Sequence, residues 1–133
     1  MSAGLYSTHA SHTLLVDADV VHGEQLLEQL SRAGFRTYLA VSWRAAHVAL
    51  AKNLYDSCIV VAHLDRSEDL EHLDELRRAA QSVWIIVLSD LQLEIARALA
   101  HRQGVDAVLS APFSLQDLAS RLAAFSLRAR PTF

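Results

Sequence analysis

Side chains able to do chemistry gather at the ends of the apolar runs in this chain. TLLVDA (13–18) contains Asp17, with Asp19 close behind, and IVVAHLD (59–65) runs into His63 and Asp65. VWIIVL (83–88) stops at Ser89 and Asp90, and DAVLS (106–110) stops at Ser110 and Ala111. Neighbouring carboxylates such as Asp17 and Asp19 are hard oxygen ligands suited to a divalent cation. A histidine such as His63 titrates near neutrality and suits proton transfer or ligand binding. Other chemistries lack their residues. There is no GxSxG elbow, and the glycines at 4, 23, 34 and 104 are too isolated to cradle a phosphate. Cys58 lies inside an apolar run with no activating base beside it, which predicts an inert buried thiol. The seven histidines are dispersed, only His9 and His12 falling close together, and no metal site is expected from them.

The elements that must position these groups alternate. TLLVDA reads as a buried strand, and VVHGEQLLEQLSRAGF follows with Leu26, Leu27 and Leu30 at helical spacing before Gly34 stops it. RTYLAV (36–41) is the second strand, Ser42 caps the helix WRAAHVALAKNL, and Tyr55 and Asp56 turn the chain into SCIVVA (57–62). Asp65 with Glu68 three residues on reads as the cap of a helix through Leu70, Leu73 and Leu76. VWIIVL is the fourth strand, Ser89 or Asp90 caps LQLEIARALAHRQ, and Gly104 ends that helix before the short fifth strand. A last helix runs from Leu115 through Leu118, Leu122 and Phe125, started by the Ser114 and Asp117 pair with Phe113 stapled onto Leu118. On a helical wheel of the fourth helix, Leu91, Ile95, Ala98 and Leu99 fall on the side expected to cover the sheet, and Leu93, Ala96 and Ala100 on the side expected to face solvent.

Five βα units of about 25 residues with strands that do not alternate predict a doubly wound α/β domain, a five-stranded parallel sheet in the order 2-1-3-4-5. In such sheets ligands bind outside the carboxyl ends of the strands, where the chemistry-bearing residues fall. A length of 133 residues with 52% apolar and 20% charged composition suits one compact domain. Its expected extent is 12–127, between a flexible segment at 1–11 and a tail or linker start at 128–133. A net charge of −3 with scattered basic residues gives no footprint for nucleic acid. No apolar run approaches the ~20 residues of a membrane span, and no signal peptide is recognisable, so the chain is read as cytoplasmic.

The segments LLVDAD, YDSCIVVAHLD, WIIVLSD and GVDAVLSAPF stand in the order and spacing of a response-regulator receiver domain, which the chain resembles from Thr13 to about Phe125. The resemblance implies a flavodoxin-like fold and a pocket in which acids after the first strand bind Mg²⁺. It further implies an aspartate ending the third strand that takes a phosphoryl group, a Ser or Thr after the fourth that senses it, and a lysine before a proline. The chain keeps Asp17 at the first acidic position, Ser89 at the hydroxyl and the Pro112-Phe113 pair. It has Ala18 at the second acid, Val61 at the phosphoacceptor, Ala111 at the lysine and Val108 at the aromatic switch position. In-line phosphoryl transfer requires a nucleophilic oxygen, a bridging divalent cation and a cation to neutralise developing charge, and these replacements remove all three.

Asp65, four residues beyond Val61, is displaced by up to ~13 Å along an extended chain and reads as a helix cap rather than a substitute phosphosite. Asp19 reads as the cap of the first helix. The expectation is a non-enzymatic pseudo-receiver with a degenerate pocket at Asp17, Ala18, Asp19, Val61, Ser89 and Ala111, no cofactor and no metal. It would act through a protein partner or a homodimer, using the face of the fourth helix, fifth strand and last helix, with Leu93, Ala96, Ala100 and Val108 as contact residues. The alternative is a flavodoxin-like domain binding a nucleotide or flavin at the same strand ends.

Overall fold

The computed structural model describes residues 12–127 and residue 130. The segment at 1–11, with His9, and most of the tail at 128–133 lie outside the described residues. Five strands, β1 (His12–Val16), β2 (Arg36–Ala40), β3 (Ser57–Val61), β4 (Trp84–Ser89) and β5 (Ala107–Ser110), alternate with five helices. These are α1 (Val20–Arg32), α2 (Trp43–Lys52), α3 (Ser67–Ala79), α4 (Leu93–His101) and α5 (Leu115–Ser126). All strand pairs are parallel and the order is β2-β1-β3-β4-β5, as the alternation predicts.

The two faces of the sheet carry separate cores. On one, Leu14, Val60, Ile85 and Val87 meet Ala46 and Ala49 of α2, Leu73 and Leu76 of α3, and Ala96 and Ala100 of α4. On the other, Leu15, Ile59, Ile86 and Leu88 meet Leu26 and Leu30 of α1 and Leu118, Leu122 and Phe125 of α5. Because β3 and β4 are covered on both sides, their residues read as continuous apolar runs. Cys58 is buried in β3, and burial pushes its thiol up to about 12, so it stays protonated at neutral pH.

Local signals placed most helix ends. The side chains of Asp19, Ser42 and Ser114 accept from the backbone N–H of His22, Ala45 and Asp117. Gly34 and Gly104 close α1 and α4 with φ of 98° and 75°. Two caps differ from expectation. The cap position of α3 is Arg66, which makes no side-chain cap bond. Asp65 stands exposed in the preceding turn, and the helix entrance is tied instead by Asp69, whose Oδ2 accepts from the His63 N–H at 2.7 Å. At α4 the cap position is Gln92, again without a cap bond, while Ser89 is buried at the end of β4.

The orientation of α4 departs in part from the expectation, since Leu91 and Leu99 pack against the core as expected while Ile95 and Ala98 do not. Ala96 and Ala100 are fully buried against the sheet, Leu93 is half-buried against the same core, and Val108 is buried in β5. Ile95, assigned to the sheet-facing side, is 51% exposed, and Ala98 is exposed beside it. The inward stripe of α4 runs through Leu93, Ala96, Leu99 and Ala100 at helical spacing, turned from the expected stripe toward the two alanines.

At the amino ends of β4 and β5, the half-buried guanidinium of Arg77 from α3 donates to four carbonyls, those of Gly104, Ala80, Gln81 and Val83, at 2.8 to 3.2 Å. Its Nη2 also reaches Asp106 Oδ2 at 2.8 Å. Asp106 accepts in addition from the Ile85 N–H at 2.8 Å and from Arg130 Nε at 2.9 and 3.0 Å. Burial pulls the Arg77 guanidinium below its ordinary value and Asp106 pushes back, so the cation persists with its donors met. Arg77→Met should strand these acceptors and cost about 3–5 kcal/mol in urea unfolding. Arg78→Met, which breaks only an exposed pair with Asp74, should cost under about 1 kcal/mol. Equal losses in the two variants would contradict this account.

Candidate functional site

The parallel register aligns the carboxyl ends of the strands. Val16 pairs with Val60, Val61 with Leu88, and Ser89 with Ser110. Asp17, Val61, Ser89 and Ala111 therefore meet along one edge, as the sequence predicts. Two cavities open there with Val61 between them. One, of about 500 Å³, is lined by Asp17, Ala18, Asp19, Trp43, Arg66 and Asp69 among others. The other, of about 180 Å³, lies between His63, Ser89, Ala111 and Phe113.

Asp17 is buried, and the protein itself satisfies both of its oxygens. Oδ1 accepts from the Asp19 N–H at 3.0 Å, and Oδ2 accepts from His22 Nδ1 at 2.5 Å. The approach of α1 that brings His22 there depends on Gly23, where an added Cβ would lie 2.9 Å from Leu39 Cδ1 and 3.2 Å from Asp17 Cβ. Asp19 is exposed and spends Oδ1 on its cap bond. Ala18 and Val61 contribute no oxygen from their side chains. The residues present therefore do not fit a Mg²⁺ site, which needs several hard oxygens in near-octahedral array.

Ser89 is neither a cap nor a free hydroxyl. Its Oγ accepts from the Leu91 N–H at 3.1 Å, and Ser110 Oγ donates to the Leu91 carbonyl at 2.8 Å, so the loop into α4 is laced to both strand ends. Ala111 N donates to the Ser89 carbonyl, and Ala111 itself is exposed at the mouth of the smaller cavity. His63 is exposed, with Nδ1 4.0 Å from Asp90 Oδ2. His12, the described member of the His9 and His12 pair, meets the Leu54 carbonyl and the ring of Tyr55.

Three residues at this edge escaped the sequence reading. His22 lies five positions past Asp17, on the first turn of α1, where one helical turn brings its ring back over the strand end. Asp69 joins the site by accepting from both His63 N and Trp43 Nε1, the latter at 3.3 Å. Trp43, whose fluorescence reports on the larger cavity, is held by that bond across 26 residues of sequence, which no local pattern discloses. Millimolar Mg²⁺ is expected to leave Trp43 emission and the His22 ring resonances unchanged. A saturable change in either would show an oxygen site that this geometry lacks.

No family model matches the chain. It is 30% identical over 118 residues to the response regulator MprA of Mycolicibacterium vanbaalenii, covering 89% of this chain and 51% of that protein. It is 28% identical over 117 residues to the transcriptional regulatory protein RprY of Bacteroides fragilis, covering 88% and 50%. The chain thus spans about half the length of these curated relatives. Among solved structures, the receiver domain of the Francisella response regulator 1452 superposes with a TM-score of 0.79 at 22% identity, over 89% of this chain and 98% of that one.

Proposed function

We infer, from a chain that carries the receiver (CheY-like) fold of response regulators and resembles their receiver portion in sequence, that it is a pseudo-receiver signalling through protein contact without phosphorylation. In this reading the domain catalyses no reaction, holds no cofactor and works in the cytoplasm within a two-component-type pathway. The observation that carries it is the closed state of Asp17. This acid at the end of β1 is bonded on both oxygens by Asp19 N and His22 Nδ1, near a strand end occupied by Val61. A phosphoryl group arriving there would meet no nucleophile, no metal and, at Ala111, no cation. The comparisons lend no support to the flavin or nucleotide alternative.

Incubation with a small phosphodonor and Mg²⁺ should leave the intact mass unchanged. A hydroxylamine-sensitive adduct at Asp17, Asp19 or Asp65 would overturn the reading. Val61→Asp alone should not restore efficient transfer, since Ala18 and Ala111 still lack the metal ligand and the cation.

The contact surface we propose remains the α4–β5–α5 face, with its residues revised. Because Ala96, Ala100 and Val108 are buried and Leu93 is half-buried, the exposed apolar anchor is Ile95, flanked by the exposed Arg97 and Ala98. Burying Ile95 in a dimer is worth about 1.5–3 kcal/mol, roughly a tenfold or larger change in dissociation constant. In sedimentation over a concentration series, Ile95→Glu should weaken self-association by that factor. Wild type that stays monomeric, or a variant that associates equally well, would move the contact to another surface.

A further inference from the structure

Away from the strand-end pocket, α2 and α3 bring together His47, His72 and Glu75, whose ligating atoms all lie within 4.8 Å of one another. Two features separate this group from an ordinary polar surface. His47 Nε2 and His72 Nδ1 are both buried, and neither has a hydrogen-bond partner. A buried imidazole nitrogen left unpaired costs free energy, and a cation bound by this cluster would satisfy both. Glu75 supplies charge, its Oε1 standing 3.4 Å from His72 Nδ1 without completing a hydrogen bond.

We propose that His47 Nε2, His72 Nδ1 and Glu75 form a binding site for a borderline first-row divalent cation, Zn²⁺ foremost. Two imidazoles and one carboxylate are the donor set that Zn²⁺ takes in three-ligand sites, leaving a fourth position open to water or a further ligand. Tetrahedral donors about 2.0–2.1 Å from the metal stand roughly 3.4 Å apart. The His72–Glu75 separation already meets that value, and the exposed Glu75 side chain is able to turn toward His47 as the cluster closes. His72 is oriented for the role. Its ring stacks on Trp43 at 4.9 Å with 15° between planes, and its other nitrogen, Nε2, faces the Glu68 carboxylate at 3.9 Å. With Nδ1 given to a metal, the Glu68 carboxylate is within reach to accept from Nε2–H as an outer partner. A bound cation would bridge α2 and α3.

The full chain should be titrated with Zn²⁺ by calorimetry, and with Cu²⁺ while Trp43 emission is followed, because the stacked His72 places a paramagnetic ion beside that indole. The expected result is one cation per chain, quenching that survives Trp84→Phe, and a rise in Tm on Zn²⁺ addition. His47→Gln and His72→Gln should each weaken binding by more than about tenfold. The double change His9→Gln and His12→Gln should leave it intact. Circular dichroism of the metal-free variants checks their folding. For any variant that fails it, Zn²⁺-induced shifts of the His47 and His72 ring resonances in wild type decide. Absence of binding, binding lost with His9 and His12, or ring resonances that do not move would overturn the proposal.

Discussion

The guanidinium of Arg77 joins parts of the chain that lie far apart in sequence. It comes from the last turn of α3, bonds the carbonyls that end α3 and enter β4, caps the αL turn at Gly104, and pairs with Asp106 at the entrance to β5. Asp106 passes the connection on to the Ile85 N–H and to Arg130 beyond the last helix. A parallel sheet needs long crossovers whose turns leave carbonyls and amides unpaired at the strand entrances. One planar cation with five donors satisfies several of them at once, and a lysine with the same charge would lack both the number and the fixed directions of its N–H groups. With the entrance end of β4 and β5 fixed in this way, the register carries Val61, Ser89 and Ser110 into line at the opposite end.

At that opposite end polar groups are bonded within the protein. A carboxylate without a cation in a half-closed pocket is costly unless its lone pairs are met, and the first turn of α1 meets them through a backbone amide and an imidazole. Ser89, Ser110 and Leu91 likewise bond one another. The edge retains the shape of a receiver pocket while its polar atoms are largely spoken for.

The sheet was legible because its signals are local. The strands are unbroken apolar runs, Ser42, Ser114 and Asp19 lie next to the turns they cap, and Gly34 and Gly104 supply the positive φ at the two helix ends. What the sequence concealed depends on distance or size. Arg77 and Asp106 are 29 residues apart, and Trp43 and Asp69 26, so their pairing exists only once α3 has docked. His47 and His72 looked dispersed for the same reason. The α4 face was read out of phase because Leu93, Ala96 and Ala100 recur at helical spacing as Leu91, Ile95 and Ala98 do, and hydrophobicity ranks isoleucine above alanine. The α3 cap was misread because Asp65 and Glu68 fit a spacing rule that Asp69 overrides by reaching back to His63.

The alanine seating of α4 also has a mechanical consequence. Ala96 and Ala100 have no side-chain rotamers to order and project only methyls, while α3 keys into the same sheet face through Leu73 and Leu76. The middle of α4 therefore approaches the sheet with little side-chain entropy to lose while Leu93 and Leu99 pack beside the two alanines, and shifting α3 would unseat two leucines and the Arg77 bonds. Displacing α3 would thus cost polar bonds as well as packing, whereas displacing α4 would cost the packing of Leu93, Ala96, Leu99 and Ala100.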